Sequence, residues 1–419
     1  MPALVRERLL GARSGITSVC TAHPVVIEAA LLHGKAHDSH VLIEATCNQV
    51  NQEGGYTGMT PAAFRSFVED IAGRAGFDPA RLILGGDHLG PNPWKHLAPD
   101  DAMRRAEVMI DAYARAGFTK LHLDTSMGCA GETVALADET TAFRAAQLAR
   151  VAETAVSGNA TAPVYVIGTE VPVPGGALET LDQLEVTTPE AALKTVEVHR
   201  NAFAHAGVEA AFDRAVGVVV QPGVEFGNAN LITYQRDKAK DLSATLVQMP
   251  QFVLEAHSTD YQPAEALQAL VEDGFAILKV GPWLTFALRE VLYGLDAIAQ
   301  VLDPAPTAEG LPARMEQLML REPGNWQKYY HGNADELRLQ RHFSYSDRIR
   351  YYWPHSHAHA AVEHLLSRLD GKTIPETLIS QHLAALYPSV VRGEVPARPK
   401  ELQIAAVQRV LEAYHHACR

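Results

Sequence analysis

Four times along the chain a helix-like stretch ends in glycine and runs at once into an apolar segment: Arg74-Ala75-Gly76-Phe77, Arg115-Ala116-Gly117-Phe118, Ala206-Gly207-Val208 and Asp273-Gly274-Phe275. Glycine is the natural residue just past a helix, because it takes positive φ without a Cβ clash. A chain that repeats helix, glycine and buried strand is made of βα units, which close into a barrel or lie in a doubly wound sheet. The number of apolar runs decides between them. Gly15–Cys20, Val41–Glu44, Arg81–Leu84, Lys120–Leu123, Val164–Thr169, Gly217–Val220, Phe252–Glu255 and Ala276–Val280 make eight strands, which favours a (β/α)8 TIM barrel.

A barrel takes about 250 residues, so a chain of 419 leaves room for an appended region. The barrel is expected over residues 1–302. Asp303–Pro312 is Pro-rich and reads as a linker, and 303–419 reads as a mostly helical extension packing on the barrel, with an aromatic and basic segment, SYSDRIRYYWPHS, at Ser344–Ser356. A net charge of −13 argues against a nucleic-acid or anionic-membrane surface, since phosphodiesters are bound by clustered Lys and Arg. Four cysteines without a close pair suggest a reducing compartment. The N-terminus has no signal-peptide apolar core, and no stretch approaches the roughly 20 apolar residues of a membrane span. A cytoplasmic location is the expectation.

The C-terminal ends of barrel strands are where chemistry sits, and here they carry Asp87, His88, Asp124, Glu170, Gln221 and His257. Imidazole, carboxylate and amide oxygen are ligands for a borderline divalent ion such as Zn²⁺ or Mn²⁺, and leftover carboxylates can serve as acid and base. The alternative is that His88 and His257 are hydrogen-bonded pocket histidines. Around them stand loops suited to a substrate. ATCNQVNQEGGYTGM, with Asn48 and Gln49, is long enough to reach over a pocket, and EVPVPGG (Glu170–Gly176) brings backbone close. HSTDYQ, with Ser258, Thr259 and Asp260, and KVGPWLTF, with Lys279 and Thr285, follow the last two strands, where phosphate is often bound.

Other signals fail. GKT at Gly371–Thr373 lacks the first P-loop glycine (Leu366 stands there) and no strand precedes it, so a P-loop kinase is rejected. HSHAH (His355–His359) reads as a solvated helix start, and Cys20, Cys47 and Cys129 as packing residues.

IEATCNQVNQEGGYTGMTP, ILGGDHLGPN, VIGTEVPVPGG, VVVQPGVEF, EAHSTDYQ, ILKVGP and SDRIRYYWPHS together resemble the family of the tagatose-bisphosphate aldolase accessory subunit, over essentially the whole chain. That family is distantly similar to class II, metal-dependent ketose-bisphosphate aldolases, which are (β/α)8 barrels. In those aldolases the Asp-His pair after the third strand supplies a proton carrier and a metal ligand, which maps onto Asp87 and His88. Two further histidine ligands fall at the sixth and seventh strands. Here the seventh is His257, but the sixth position is Gln221, which leaves Glu170 as a replacement ligand. Members of the family have been labelled tagatose-6-phosphate kinase, non-catalytic stabilising partner of the aldolase, and 4-epimerase of ketohexoses or their 6-phosphates.

The resemblance and the strand-end residues together lead us to expect an enzyme, a metal-dependent 4-epimerase interconverting D-tagatose 6-phosphate and D-fructose 6-phosphate. A non-catalytic aldolase subunit, or an epimerase of an unphosphorylated ketohexose or a ketohexuronate, is the alternative. In this expectation Asp87 shuttles the C4-hydroxyl proton, with Asp124 and Glu170 as further catalytic carboxylates. His88, Glu170 and His257 hold the metal, with Gln221 a weaker ligand or substrate contact. Zn or Mn is favoured over Mg, Co or Ni. Asn48, Gln49, Ser126 and Asp260 contact substrate, while Ser258, Thr259, Lys279, Arg348 and Arg350 meet the phosphate. Expected protein partners are a second copy of the chain or a class II aldolase catalytic subunit.

Overall fold

The computed structural model describes residues 1–156, 161–171, 184–304, 306 and 309–419. Part of the EVPVPGG turn (residues 172–176) and part of the Pro-rich segment after Asp303 lie outside the described residues.

Eight parallel strands close into a barrel: Ile16–Cys20 (β1), Val41–Thr46 (β2), Leu82–Leu89 (β3), Lys120–Leu123 (β4), Val164–Ile167 (β5), Ala215–Val220 (β6), Val253–Ala256 (β9) and Ile277–Val280 (β10). A small antiparallel pair, Glu225–Phe226 (β7) and Leu231–Ile232 (β8), is inserted after β6. Closure is made by β1 on β10, with Ile16 opposite Ile277 and Val19 opposite Val280. The four signalling glycines, Gly76, Gly117, Gly207 and Gly274, have φ of 62, 80, 70 and 97°, as helix-ending residues should. Helix starts are equally local in origin. Thr60 accepts from Ala63 N–H ahead of the helix Pro61–Ala75, and Thr188 accepts from Ala191 N–H ahead of Pro189–His205.

Expected and observed strands agree closely at their starts, but β3 does not stop at Leu84. It continues through Asp87 and His88 to Leu89. The register against β4 shifts between Gly86 and Leu89, and His88 takes φ of 48°, a left-handed conformation rare outside glycine. In a regular strand, neighbours face opposite sides. The irregularity turns both Asp87 and His88 to the barrel interior. Gly90 then passes so close to β4 that a Cβ would lie 1.7 Å from the Asp124 carbonyl oxygen, so only glycine fits.

The helices after residue 310 share the barrel's apolar core. The last of them, Pro399–Ala417, packs on the helices Pro24–Ala36, Ala264–Glu272 and Pro282–Leu302, burying Leu402, Val407, Val410 and Leu411. Its Tyr414 hydroxyl donates to the Thr259 carbonyl at 2.8 Å, which ties the chain's end to a barrel-mouth loop. At the other end of the barrel, Leu4 of the short helix Pro2–Leu9 packs against Val253, Ala276 and Ile277. Among the described residues no helix is long and apolar enough to cross a membrane.

Candidate active site

The interior of the barrel is ionic. From β2, β4, β9 and β10 come Glu44, Lys120, Glu255 and Lys279, all buried. Lys120 Nζ lies 2.5 Å from Glu44 Oε1 and 2.9 Å from Glu255 Oε2. Lys279 Nζ lies 2.5 Å from Glu44 Oε2 and 2.7 Å from Asp87 Oδ1. Burial alone would push Glu255 and Asp87 towards the neutral form. The ammonium groups outweigh it for Glu255, as do His88 and Lys279 for Asp87, so both carboxyls sit well below the usual carboxylate range.

Above this layer three imidazoles converge. Ring centres of His88, His122 and His257 lie 4.9–5.2 Å apart in every pairing. Two of them are held from behind by carboxylates. His88 Nδ1 is 2.8 Å from Asp124 Oδ2, and His122 Nδ1 is 2.8 Å from Asp87 Oδ1. This is how proteins orient a metal-binding histidine, leaving its other nitrogen to face the ion. The His122 Nε2 is indeed buried with no hydrogen-bond partner among the described residues. Burial pushes His257 down to about 3, so it is a neutral base; its Nε2 is 2.9 Å from Glu255 Oε1. One donor atom each from Asp87, His122, Glu255 and His257 falls within 4.8 Å of all the others. These residues fit a divalent cation of borderline softness.

Over the cluster opens a pocket lined among others by Asn48, Gln49, Asp87, His88, His257, Ser258, Asp260, Lys279 and Arg350. Ser258, like His88, is a non-glycine residue with positive φ (55°). Such strain costs of order 1–3 kcal/mol per residue and collects at functional sites. Arg350 comes from the C-terminal region. Its guanidinium donates to the Tyr351 hydroxyl (2.8 Å) and to the carbonyls of Ser346 and Asp347, which fixes it at the pocket's edge.

The other expected residues stand elsewhere. Asp124 gives one oxygen to His88 and the other to Ser126, whose hydroxyl donates at 2.8 Å, so both residues support His88 from outside the pocket lining. Burial opposes its charge, but the His88 bond prevails and brings Asp124 down to about 2. Glu170 is exposed on a bend beyond β5, where it accepts from Thr187 at 3.0 Å. The Gln221 amide oxygen is taken by the N–H groups of Gly223 and Val224. Thr259 donates to the Lys279 carbonyl (2.6 Å). Arg348 stacks on Tyr329, its guanidinium carbon 3.3 Å from the ring centre, and Thr285 donates to Asp347. Asp260 does line the pocket, but its Oδ1 accepts from Gly281 N–H (3.0 Å) and Trp283 N–H (2.8 Å), so it fills the N-terminus of the helix Pro282–Leu302 where an anion would otherwise sit. The Cys20 thiol lines the pocket too, with its pKa pushed up by burial, which makes it a poor nucleophile.

His122 and Lys120 lie inside the expected fourth strand and were not named from the sequence; Glu44 and Glu255 close the expected second and seventh runs but were read as strand residues, and the observed strands run on past them to Thr46 and Ala256.

Fold and site define a (β/α)8 barrel with an imidazole–carboxylate centre at the C-terminal ends of its strands. The chain belongs to the D-tagatose-1,6-bisphosphate aldolase subunit GatZ/KbaZ-like family, whose model matches residues 1–419. A curated relative from Agrobacterium fabrum (strain C58 / ATCC 33970), D-tagatose 6-phosphate 4-epimerase, is 54% identical over 415 residues, 99% of this chain and 97% of its own length. A crystal structure described as a probable tagatose 6 phosphate kinase from Sinorhizobium meliloti 1021 is 63% identical, with a TM-score of 0.90 over 96% of this chain and 100% of that one. Fructuronate-tagaturonate epimerase UxaE from Cohnella laeviribosi shares the fold, with a TM-score of 0.50 at 13% identity over 96% of this chain and 81% of that one.

Proposed function

We propose that the protein is a D-tagatose 6-phosphate 4-epimerase, interconverting that sugar with D-fructose 6-phosphate by opening and re-forming the C3–C4 bond. The observation that carries this reading is the convergence of His88, His122 and His257 with Glu255 and Asp87 beneath an open pocket; the 54% identity to a relative of that name supports it. Gly371 of the GKT stretch follows the helix Ser356–Leu369 with φ of 67°, so GKT stands at a helix end and not between a strand and a helix as a phosphate-binding loop does.

The C4 hydrogen of a 2-ketose is two carbons from the carbonyl and is not acidic, so inversion by deprotonating C4 is closed. Cleavage is open. The C4-hydroxyl proton leaves, the C3–C4 electron pair moves towards the C2 carbonyl, and a three-carbon enediolate and glyceraldehyde 3-phosphate result. Turning the aldehyde to its other face and reversing the steps gives the epimer. A divalent cation held by His122, His257 and Glu255, with His88 adjoining, would supply a Lewis acid against the negative charge that develops; Zn²⁺ and Mn²⁺ suit these donors best.

Asp87 would move the hydroxyl proton. Its Oδ1 is committed to the His88 N–H, His122 and Lys279, while Oδ2, which accepts from the Cys20 thiol at 3.8 Å and lies 3.7 Å from His88 Nε2, is the oxygen that would meet the substrate. Lys279, 2.7 Å from Oδ1, keeps the carboxyl ionised between transfers. Arg350 and Ser258 are the phosphate's partners at the pocket edge, and Asn48 and Gln49 contact the sugar.

Assayed alone with divalent metal and tagatose 6-phosphate, the chain is expected to turn over without an aldolase subunit. In heavy water the product should carry no deuterium at C4, since that hydrogen stays on its carbon as the aldehyde hydrogen, and trapping should detect glyceraldehyde 3-phosphate at a low level. Deuterium entering C4 in step with turnover would exclude bond cleavage. An inactive chain that gains activity only with an aldolase subunit would exclude the epimerase itself.

For Arg350→Ala we expect KM for tagatose 6-phosphate to rise roughly 10- to 100-fold, the loss of one charge-assisted contact of about 1.5–3 kcal/mol. Unphosphorylated tagatose should be a poor substrate for both forms and nearly indifferent to the change. An equal effect on the two sugars would remove Arg350 from the phosphate site.

A further inference from the structure

At the opposite end of the barrel, histidines gather where the last helix crosses the first barrel helix. His33 lies on the helix Pro24–Ala36 and His37 is its C-cap, one turn apart and so on one face. Facing them, the helix Pro399–Ala417 presents Glu412, His415 and His416. Glu412 Oε2 lies 2.8 Å from His33 Nε2 and 3.1 Å from His37 Nε2, while its other oxygen lies 3.0 Å from His416 Nε2. The His415 ring is 3.9 Å from the His37 ring and 5.3 Å from the His33 ring, centre to centre. Its Nε2 is buried and has no hydrogen-bond partner among the described residues. The cluster borders Ile16 and Val41, the first residues of β1 and β2, and the proposed reaction uses none of it.

Hydrogen bonding accounts for only part of this arrangement. One carboxylate serves three imidazoles, a fourth packs against two of them, and a buried ring nitrogen is left over. Zinc bonded to nitrogen at 2.0–2.1 Å sets tetrahedral donors roughly 3.3 Å apart. Donor atoms of His33, His37 and Glu412 already lie within 4.8 Å of one another, and a cavity opens on His33, His37 and His415. We infer that His33, His37, Glu412 and His415 form a second divalent-metal site, of the Zn²⁺ type, which clasps the C-terminal helix to the barrel. His416 orients Glu412 from the solvent side. Burial favours the neutral form of His33 and His415, the form that binds metal.

The test is titration of the tag-free, full-length chain with Co²⁺, read by equilibrium dialysis and visible absorption. In a His122→Ala background, which removes a donor from the barrel centre, one equivalent of Co²⁺ should still bind with the intense bands of a tetrahedral site. Adding His37→Ala and His415→Ala should abolish that equivalent, and Glu412→Gln should weaken it at least tenfold. In the otherwise wild-type chain, His37→Ala/His415→Ala should keep full epimerase turnover; in the His122→Ala background the same pair should lose the rise of several degrees in Tm that Zn²⁺ produces there. If the barrel centre binds no metal, the wild-type chain should take one equivalent and the clasp variant none, so the two readings fail separately. Unchanged Co²⁺ stoichiometry on replacing His37 and His415, in both backgrounds, would overturn the clasp.

Discussion

Replacing His122 by alanine is expected to lower turnover roughly 10³-fold, the scale of losing a principal electrostatic stabiliser of the transition state. His122 is buried on β4, and its Nδ1 is already engaged by Asp87, so the one thing it offers the pocket is Nε2. Two outcomes distinguish a ligand from a packing residue. A ligand's loss lowers bound metal at the barrel centre while the melting temperature of the metal-free chain moves little. A packing residue's loss leaves metal bound and lowers that temperature. His122→Ala with full metal at the centre and ordinary turnover would remove it from the site, and the epimerase proposal would lose its main structural support.

Lys120→Met should be the most damaging single substitution for stability. The ammonium is fully buried, 2.5 and 2.9 Å from two carboxylates that are themselves buried. Removing one partner of a buried ion pair costs about 3–5 kcal/mol, because the other charge remains in a medium that cannot solvate it. Here Lys279 would be the ammonium left to both Glu44 and Glu255, with Glu255 keeping its contact to His257 Nε2. Urea unfolding should show the loss as a lower midpoint at similar slope. Adding Glu44→Gln should restore a good part of it by removing an orphaned charge. A loss below about 1 kcal/mol would mean that one of the carboxyls is neutral in the native barrel and that Lys120 neutralises little.

The barrel was legible because its evidence is local. Gly76, Gly117, Gly207 and Gly274 end helices by their own backbone freedom, and the apolar runs after them are buried whatever else the chain does. The site was legible only in part, for a reason of geometry. Candidate residues were sought where apolar runs stop, which named Asp87, His88 and His257, all of them in the pocket lining. Yet the barrel interior is lined by alternate residues of each strand, so polar side chains at period two inside an apolar run are an equally good signal. Lys120, His122 and Asp124 stand at that spacing, as do Glu255 and His257, and Glu44 and Thr46. Glu170 and Gln221 show the converse. Each lies past the last ladder bond of its strand, so its side chain is free to bond elsewhere, to Thr187 in one case and to a backbone turn in the other. Arg350 was named from its motif, but its place at the pocket depends on how the C-terminal helices pack on the barrel, which no local pattern encodes.

The N–H of Gly15 donates to the carbonyl of Cys418 at 2.9 Å, just ahead of the strand that closes the barrel. The first strand of the barrel in chain order therefore pairs on one side with β10, and its entry point is secured by Cys418, the C-cap of the helix Pro399–Ala417. Few native contacts of β1 can be completed during synthesis beyond its pairing with β2: the ring stays open until β10 emerges, and the Gly15 contact waits for Cys418. Loop-closure entropy grows only slowly with the length spanned, so the finished molecule loses little stability by joining its ends this way. What suffers is speed, since contacts so distant in sequence form late. Joining residues 1 and 419 and opening the chain in an exposed loop between two barrel units would turn that last contact into a local one, and the barrel should then close faster without becoming much more stable.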